Sequence, residues 1–164
     1  MKEELIRRLK EVGAVKFGEF TLSSGQRSNV YVDIKHACTY PDVLKLITEL
    51  MAEKVKDLEF DKIACIELGG VPLAVALSMK IGKPLVIFRK RRKDYGIKDD
   101  CIGIIEEGEG FVVVEDVTTT GRSALSVVER VEKRGGNVVA ILSVVNRGAR
   151  IQNLLSLLTL EELL

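Results

Sequence analysis

The chain has 164 residues, 46% apolar and only 5% aromatic, with 25 basic side chains against 24 acidic ones. That length suits one compact domain whose core is built from Val, Ile and Leu. The near-cancelling charge gives no general attraction to nucleic acid or to an anionic membrane, so any anion must be met by a local cluster.

Residues 2–12 place Leu5, Ile6, Leu9 and Val12 on one helical face, and Gly13 ends the run. Residues 17–22 and 30–34 read as two strands around the polar turn SSGQRSN. Pro41 opens a helix to about residue 56, with Val43, Leu44, Ile47, Leu50, Met51 and Val55 facing inward. Residues 62–68 form an apolar strand broken by Gly69 and Gly70, and Pro72 opens a helix to residue 80. Pro84 precedes a strand at 85–89, and a polar stretch runs from Lys90 to about Asp100. A strand at 111–117, a helix at 123–133 and a strand at 138–145 follow. The terminal LLSLLTLEELL suits a short strand and helical turn on the body, or a set of leucines for a subunit contact.

Continuous Val/Ile strands alternating with helices predict an α/β fold with an open, mainly parallel central sheet flanked by helices. No internal repeat or linker divides residues 1–164, which read as a single domain. The N-terminus is charged and amphipathic rather than signal-like, and no apolar run approaches the ~20 residues that span a bilayer. Cys38, Cys65 and Cys101 are odd in number, lie far apart and form no CxxC pair, which suits a reducing compartment. A soluble, cytoplasmic protein with no membrane partner is expected. His36 is the one histidine, so neither a Ser–His triad nor a multi-histidine metal site can be assembled from this chain, and it reads as a structural or surface residue.

The chemistry is concentrated in FVVVEDVTTTGRSALSVVERVEKRGGNVVAILSVVNRG, residues 111–148. It reads as strand, polar loop, helix, strand, and ligands of open parallel sheets bind where such loops leave the strands. The backbone of Val117, Thr118, Thr119, Thr120, Gly121, Arg122 and Ser123 opens a helix N-terminus suited to phosphate, with the threonine and serine hydroxyls as added donors. Glu115 and Asp116 precede this cup. Two carboxylates there would repel a phosphate, but they accept hydrogen bonds from the vicinal hydroxyls of a ribose, so the pattern suits a sugar phosphate. The bland alternative is a solvated strand end. Neither a Walker loop nor GxGxxG is present.

Two other segments bear on anions. Gly69 and Gly70 in IELGGVPLA let backbone approach a ligand, or simply make a tight strand-to-helix turn. Five consecutive basic residues run from Arg89 through Lys90 to Lys93, followed by Tyr95 and Gly96. They suit a solvated loop, a nucleic-acid contact or a cationic lid over a leaving diphosphate. No wider basic stripe supports nucleic acid.

The run VVVEDVTTTG resembles the phosphoribosyl pyrophosphate signature of the type I phosphoribosyltransferases, with Glu115 where an Asp is commoner. Arg89-Lys90-Arg91-Arg92-Lys93-Asp94-Tyr95-Gly96 resembles the loop Arg-Lys-x-x-Lys-x-His-Gly of the orotate enzymes in that family, with Tyr95 in place of the histidine. FTLSSGQRSNVYVDIK resembles their hood over the base, with Ser23 where many relatives have lysine.

The resemblance implies a hood at about residues 1–40 over a core at about 41–150. It implies transfer of ribose 5-phosphate from phosphoribosyl pyrophosphate to orotate, giving orotidine 5′-monophosphate and pyrophosphate in pyrimidine synthesis. Glu115 and Asp116 would hold the ribose hydroxyls and residues 117–123 the 5-phosphate. Gly69 and Gly70 would cradle pyrophosphate, and Arg89, Lys90, Lys93 and Tyr95 would meet it as it leaves. Lys90, Lys93 and Asp116 are the implied catalytic set. Arg147 and Thr119 would bind the orotate carboxylate and Tyr31 the pyrimidine ring. Mg²⁺, held mainly by substrate with no protein ligand directly assigned, is the implied cofactor. A homodimer sharing the basic loop is the implied assembly. The alternatives are transfer to another base, and a non-catalytic sensor of the sugar phosphate.

Overall fold

The computed structural model describes residues 1–22, 24–90 and 100–164. The chain opens with α1 (Lys2–Glu11), which buries Leu5 and Leu9. β1 (Val15–Thr21) and β2 (Arg27–Val32) form an antiparallel hairpin whose register shifts between Phe17 and Phe20. Ile34, expected to end a strand, instead begins α2 (Ile34–Ala37). The cause is Asp33, whose carboxylate accepts the His36 backbone N–H at 3.0 Å and caps a helix. The His36 ring lies with Nε2 2.8 Å from the Val12 carbonyl oxygen, tying α2 to the end of α1, so this histidine is structural.

α3 (Pro41–Val55) starts with proline at its first turn, where no N–H is lost, and Asp42 faces the positive end of the helix dipole. Its buried stripe is Val43, Leu46, Ile47, Thr48, Met51 and Val55. Leu44 and Leu50, expected inward, are only partly buried. Leu46 and Thr48 take the inner places, and Thr48 satisfies its hydroxyl on the Leu44 carbonyl at 2.6 Å.

Alternation then sets in. β3 (Lys62–Ile66) leads to α4 (Gly70–Ile81), which starts two residues before Pro72 and ends at Gly82 in the left-handed conformation, φ 73°. β4 (Leu85–Phe88) is followed by β5 (Cys101–Ile102), a two-residue strand too short to leave a sequence pattern. β6 (Gly110–Thr118), α5 (Arg122–Lys133) and β7 (Asn137–Asn146) form the unit carrying the acidic pair. β8 (Leu154–Thr159) and α6 (Leu160–Leu163) end the chain, and a capping box between Thr159 and Glu162 starts the last helix. Of the terminal leucines, Leu157, Leu158 and Leu163 pack inward.

The six-stranded sheet has the order β5-β4-β3-β6-β7-β8, parallel except where β5 runs against β4. One face buries Ile63, Cys65, Val112, Val114, Leu142 and Val144 together with residues of α1, α3, α4 and the hairpin. The other buries Ala64, Val86, Phe88, Phe111 and Val113 against Ala124, Val127 and Val131 of α5. Each large side chain fully buried this way contributes roughly 1.5–3 kcal/mol. Both faces are covered, as Val/Ile-rich parallel strands require. Among the described residues no helix is long and apolar enough to cross a membrane.

Candidate active site

The site begins where β6 runs out. Along this strand Phe111 and Val113 face α5, whereas Val112 and Val114 face α4. Because the side-chain period of a strand is two, Glu115 continues the first row and Asp116 the second. The acids are therefore adjacent in sequence but diverge onto opposite faces of the sheet.

Glu115 is 5% exposed, and Ser123 Oγ donates to its Oε1 at a long 3.4 Å. Burial, reinforced by Asp116, pushes its carboxyl up to about 7. Asp116 is half-buried on the other face and accepts from Lys35 Nζ at 3.3 Å.

Beyond Glu115 the chain wraps a cavity of about 500 Å³ lined by Val117, Thr118, Thr119, Thr120, Gly121, Arg122 and Ser123. Gly121 has φ 86°, and a Cβ there would lie 2.9 Å from Ile151. Glycine thus permits the turn, and it adds no capping side chain to the amino end of α5. One expected donor is corrected. Thr118 Oγ1 lies 3.1 Å from Ser143 Oγ and 3.2 Å from Asn146 Oδ1, so its hydroxyl ties β6 to β7 inside the sheet. Thr119 is half-buried and Thr120 exposed, and both line the cavity.

Gly69 and Gly70 sit at the turn from β3 into α4, and each is demanded by a close approach. A Cβ on Gly69 would fall 2.2 Å from Asp116 Oδ2. A Cβ on Gly70 would fall 2.7 Å from the Val114 carbonyl oxygen. The first glycine makes room for a site carboxylate, and the second lets α4 close onto the sheet.

Lys93 and Tyr95 of the basic loop, and Ser23 of the hairpin turn, lie outside the described residues. The stems of the loop are defined. Arg89 N–H donates to the Asp100 carbonyl at 2.7 Å, and Lys90 N–H to Glu67 Oε2 at 3.0 Å. Arg130 Nε donates to Asp100 Oδ2 at 3.1 Å and its Nη2 to the Arg89 carbonyl at 2.9 Å, while Arg134 also pairs with Asp100. Both guanidiniums lie over the Phe88 ring, 4.9 and 5.3 Å from its centre. Burial works to raise the Asp100 carboxyl, but the two arginines outweigh it and hold it below the ordinary range.

Arg147 does not line the cavity. It leaves the end of β7 toward the hairpin, where Nη2 donates to the Val30 carbonyl at 2.8 Å and to Ser28 Oγ at 2.9 Å. Its backbone N–H donates to the Thr118 carbonyl at 2.7 Å, which places it beside the start of the cup. Nε is buried without a hydrogen-bond partner among the described residues. Burial lowers the pKa of the guanidinium. Tyr31 is partly exposed on the hairpin, its ring 5.4 Å from that of Phe20.

Four residues near the site were not singled out from sequence. Lys35 reaches Asp116 from α2, and Ser24, Ser126 and Arg130 line the cavity. Ser126 and Arg130 stand four and eight positions after Arg122, so helical spacing from the cup would have found them. Lys35 and Ser24 fall within the hood-like segment at residues 20–35, but no spacing in that segment marks either one individually.

An open parallel sheet, with acids and a hydroxyl-rich cup after one central strand, defines a class of enzymes that handle phosphorylated ribose. The phosphoribosyl transferase domain model matches residues 39–156. The chain is 62% identical over 164 residues to the orotate phosphoribosyltransferase of Archaeoglobus fulgidus, covering all of this chain and 92% of that one. It superposes on the crystal structure of orotate phosphoribosyltransferase from Aeropyrum pernix with a TM-score of 0.86 at 32% identity, covering 97% and 95% of the two chains. The Mycobacterium tuberculosis orotate phosphoribosyltransferase in complex with 5-phospho-α-D-ribosyl 1-diphosphate matches with a TM-score of 0.77 at 30% identity, over 99% and 98%. The chain belongs to the phosphoribosyltransferase family, within its orotate phosphoribosyltransferases.

Proposed function

We propose that this pentosyltransferase moves ribose 5-phosphate from phosphoribosyl pyrophosphate to orotate, releasing pyrophosphate and forming orotidine 5′-monophosphate for pyrimidine synthesis. The observation that carries the choice of base is Arg147. Its part-buried guanidinium has neutral partners only, Ser28 and the Val30 carbonyl, and no carboxylate among the described residues, so a ligand carboxylate would supply the missing counter-charge. Orotate has that carboxylate and most other bases do not.

In this reading Thr119, Thr120, Gly121, Arg122 and Ser123 hold the 5-phosphate through backbone N–H groups and hydroxyls at the amino end of α5. Val117 and the Thr118 backbone complete the wall. Asp116 and Glu115 accept from the ribose hydroxyls, each from its own side of the strand end. Thr119 and Arg147 hold the orotate carboxylate, and Tyr31 lies against the ring. The base nitrogen bonds to the anomeric carbon as the bond to pyrophosphate breaks. Arg89 and Lys90 stand at the described stem of the loop and, with Lys93 and Tyr95, take up the charge that leaves. The turn at Gly69 and Gly70 faces the same group. No step needs a covalent enzyme intermediate.

Mg²⁺ is the cofactor of this reading. A carboxylate at a strand end suits an ion whose other ligands would be phosphate oxygens and water, and Asp116 or Glu115, each from its own side of the strand end, would be the residue to hold it. When bound it would offset negative charge on the diphosphate. The same reading places the protein in the cytoplasm as a homodimer that shares the basic loop.

The test is product formation: incubation with phosphoribosyl pyrophosphate, Mg²⁺ and orotate should yield orotidine 5′-monophosphate and pyrophosphate, whereas adenine, hypoxanthine and uracil in place of orotate should give little nucleotide. Preference for one of those bases would overturn the assignment of Arg147.

A further inference from the structure

Lys35 takes no part in the roles above, yet its position is tightly specified. It lies on α2, whose inner side chains Ile34 and Ala37 are buried. Asp33 caps this helix and the His36 ring fastens it to the Val12 carbonyl. Lys35 is left on the outer side, and its ammonium reaches Asp116 Oδ2 at 3.3 Å across 81 residues of sequence. The Asp116 carboxylate in turn occupies the space a Cβ on Gly69 would need. A hood-side cation, an acid of the signature and the glycine turn thus converge at the carboxyl ends of β3 and β6.

The pair is unequal. The Lys35 side chain is 56% exposed and Asp116 only 15%. A largely solvated ammonium can leave its partner at small cost, so the contact adds little to stability. Burial works to lower the Lys35 pKa, but Asp116, and beyond it Asp33 and Tyr31, outweigh this, so the group stays charged. Asp116 presents a chemical difficulty that such a cation resolves. A carboxylate placed to accept from ribose hydroxyls repels the diphosphate on the neighbouring carbon of the same sugar. A mobile point charge between them offsets that repulsion and adds a charge-assisted hydrogen bond.

We propose that Lys35 is a substrate-binding residue for the diphosphate of the phosphoribosyl donor. It holds Asp116 before substrate arrives and turns to a diphosphate oxygen once the ribose hydroxyls occupy that carboxylate. This rests on the site being one for phosphoribosyl pyrophosphate, as proposed above.

Calorimetric titrations in Mg²⁺ with phosphoribosyl pyrophosphate, inorganic pyrophosphate and ribose 5-phosphate would test it on the wild type, Lys35→Ala and Lys35→Arg. Lys35→Ala should weaken the two diphosphate ligands by roughly tenfold or more, the scale of one charge-assisted hydrogen bond. Ribose 5-phosphate should keep its affinity within about twofold, and Lys35→Arg should recover most of the loss. Unchanged pyrophosphate affinity in Lys35→Ala would overturn the proposal. So would an equal loss of ribose 5-phosphate, because Lys35 would then act only through Asp116. A wild type that binds no phosphoribosyl pyrophosphate would overturn the functional reading itself. A wild type that binds it, with Lys35→Ala indistinguishable, would remove Lys35 alone.

Discussion

Nη2 of Arg147 donates to the carbonyl oxygen of Val30 at 2.8 Å, joining residues 117 positions apart. The end of β7 thereby holds β2 of the hairpin, while the Arg147 Nε remains buried and unpaired. One side chain thus bridges the end of β7 and the hairpin.

Arg147→Lys keeps the charge but removes the planar fork. The KM for orotate should rise by at least about tenfold, with the KM for phosphoribosyl pyrophosphate within about twofold. Steady-state kinetics with each substrate varied in turn separates the two. An equal rise in both would mean that Arg147 serves the hood alone.

The adjacent glycines should respond differently to the same substitution. Gly69→Ala directs its methyl at the Asp116 carboxylate, a side chain that can move, so donor binding and turnover should fall with little loss of stability. Gly70→Ala directs its methyl at the Val114 carbonyl, which is part of the sheet, so stability should drop by about 1–3 kcal/mol. Urea unfolding and donor KM measured on both variants would show whether the effects separate in this way.

Glu115 ties stability to pH. Its folded carboxyl is raised to about 7, from an ordinary 4.5, by burial and then by Asp116. Between those values the folded state binds more protons than the unfolded one, so stability falls as pH rises through this window. Below about 4.5 the penalty is absent, and above about 7 it is complete, on the order of 3 kcal/mol. Glu115→Gln should therefore be the more stable protein at pH 8, with the difference vanishing near pH 4.5. Denaturant midpoints across that range would reveal a constant difference if Glu115 were not the cause.

Asp100 accepts from Arg130 and Arg134 at the root of the basic loop. Asp100→Asn leaves two guanidiniums stacked over Phe88 with no counter-charge, and should cost roughly 1–3 kcal/mol of stability. If the pair also fixes Arg89 and Lys90, kcat should fall in the same variant at temperatures where it remains folded. Thermal melts paired with kcat below the transition distinguish a stability effect from a positioning one.

Much of the site was legible because its parts are contiguous. Strand, acids, cup and helix at residues 111–133 occur in the order they are used, and each element keeps its own periodicity. The divergence of Glu115 and Asp116 was implicit in the two-residue period of a strand, although motif reading treats them as one unit. The Thr159–Glu162 capping box was equally visible in TLEE. Lys35 was not legible, since its partner lies 81 residues away and a lone lysine leaves no pattern. β5 is held by pairing to β4, and two residues cannot show a period. VYVDI continues the alternation of β2 through Ile34, and only the Asp33 cap reveals the turn into α2.

The central claim is transfer to orotate, and the most direct measurement is the loss of orotate absorbance when purified protein is mixed with Mg²⁺, phosphoribosyl pyrophosphate and orotate. The account predicts a Mg²⁺-dependent decline that Arg147→Ala abolishes. No decline in the wild type, with binding of the sugar phosphate intact, would contradict it and point to another base or to a sensor built on the same fold.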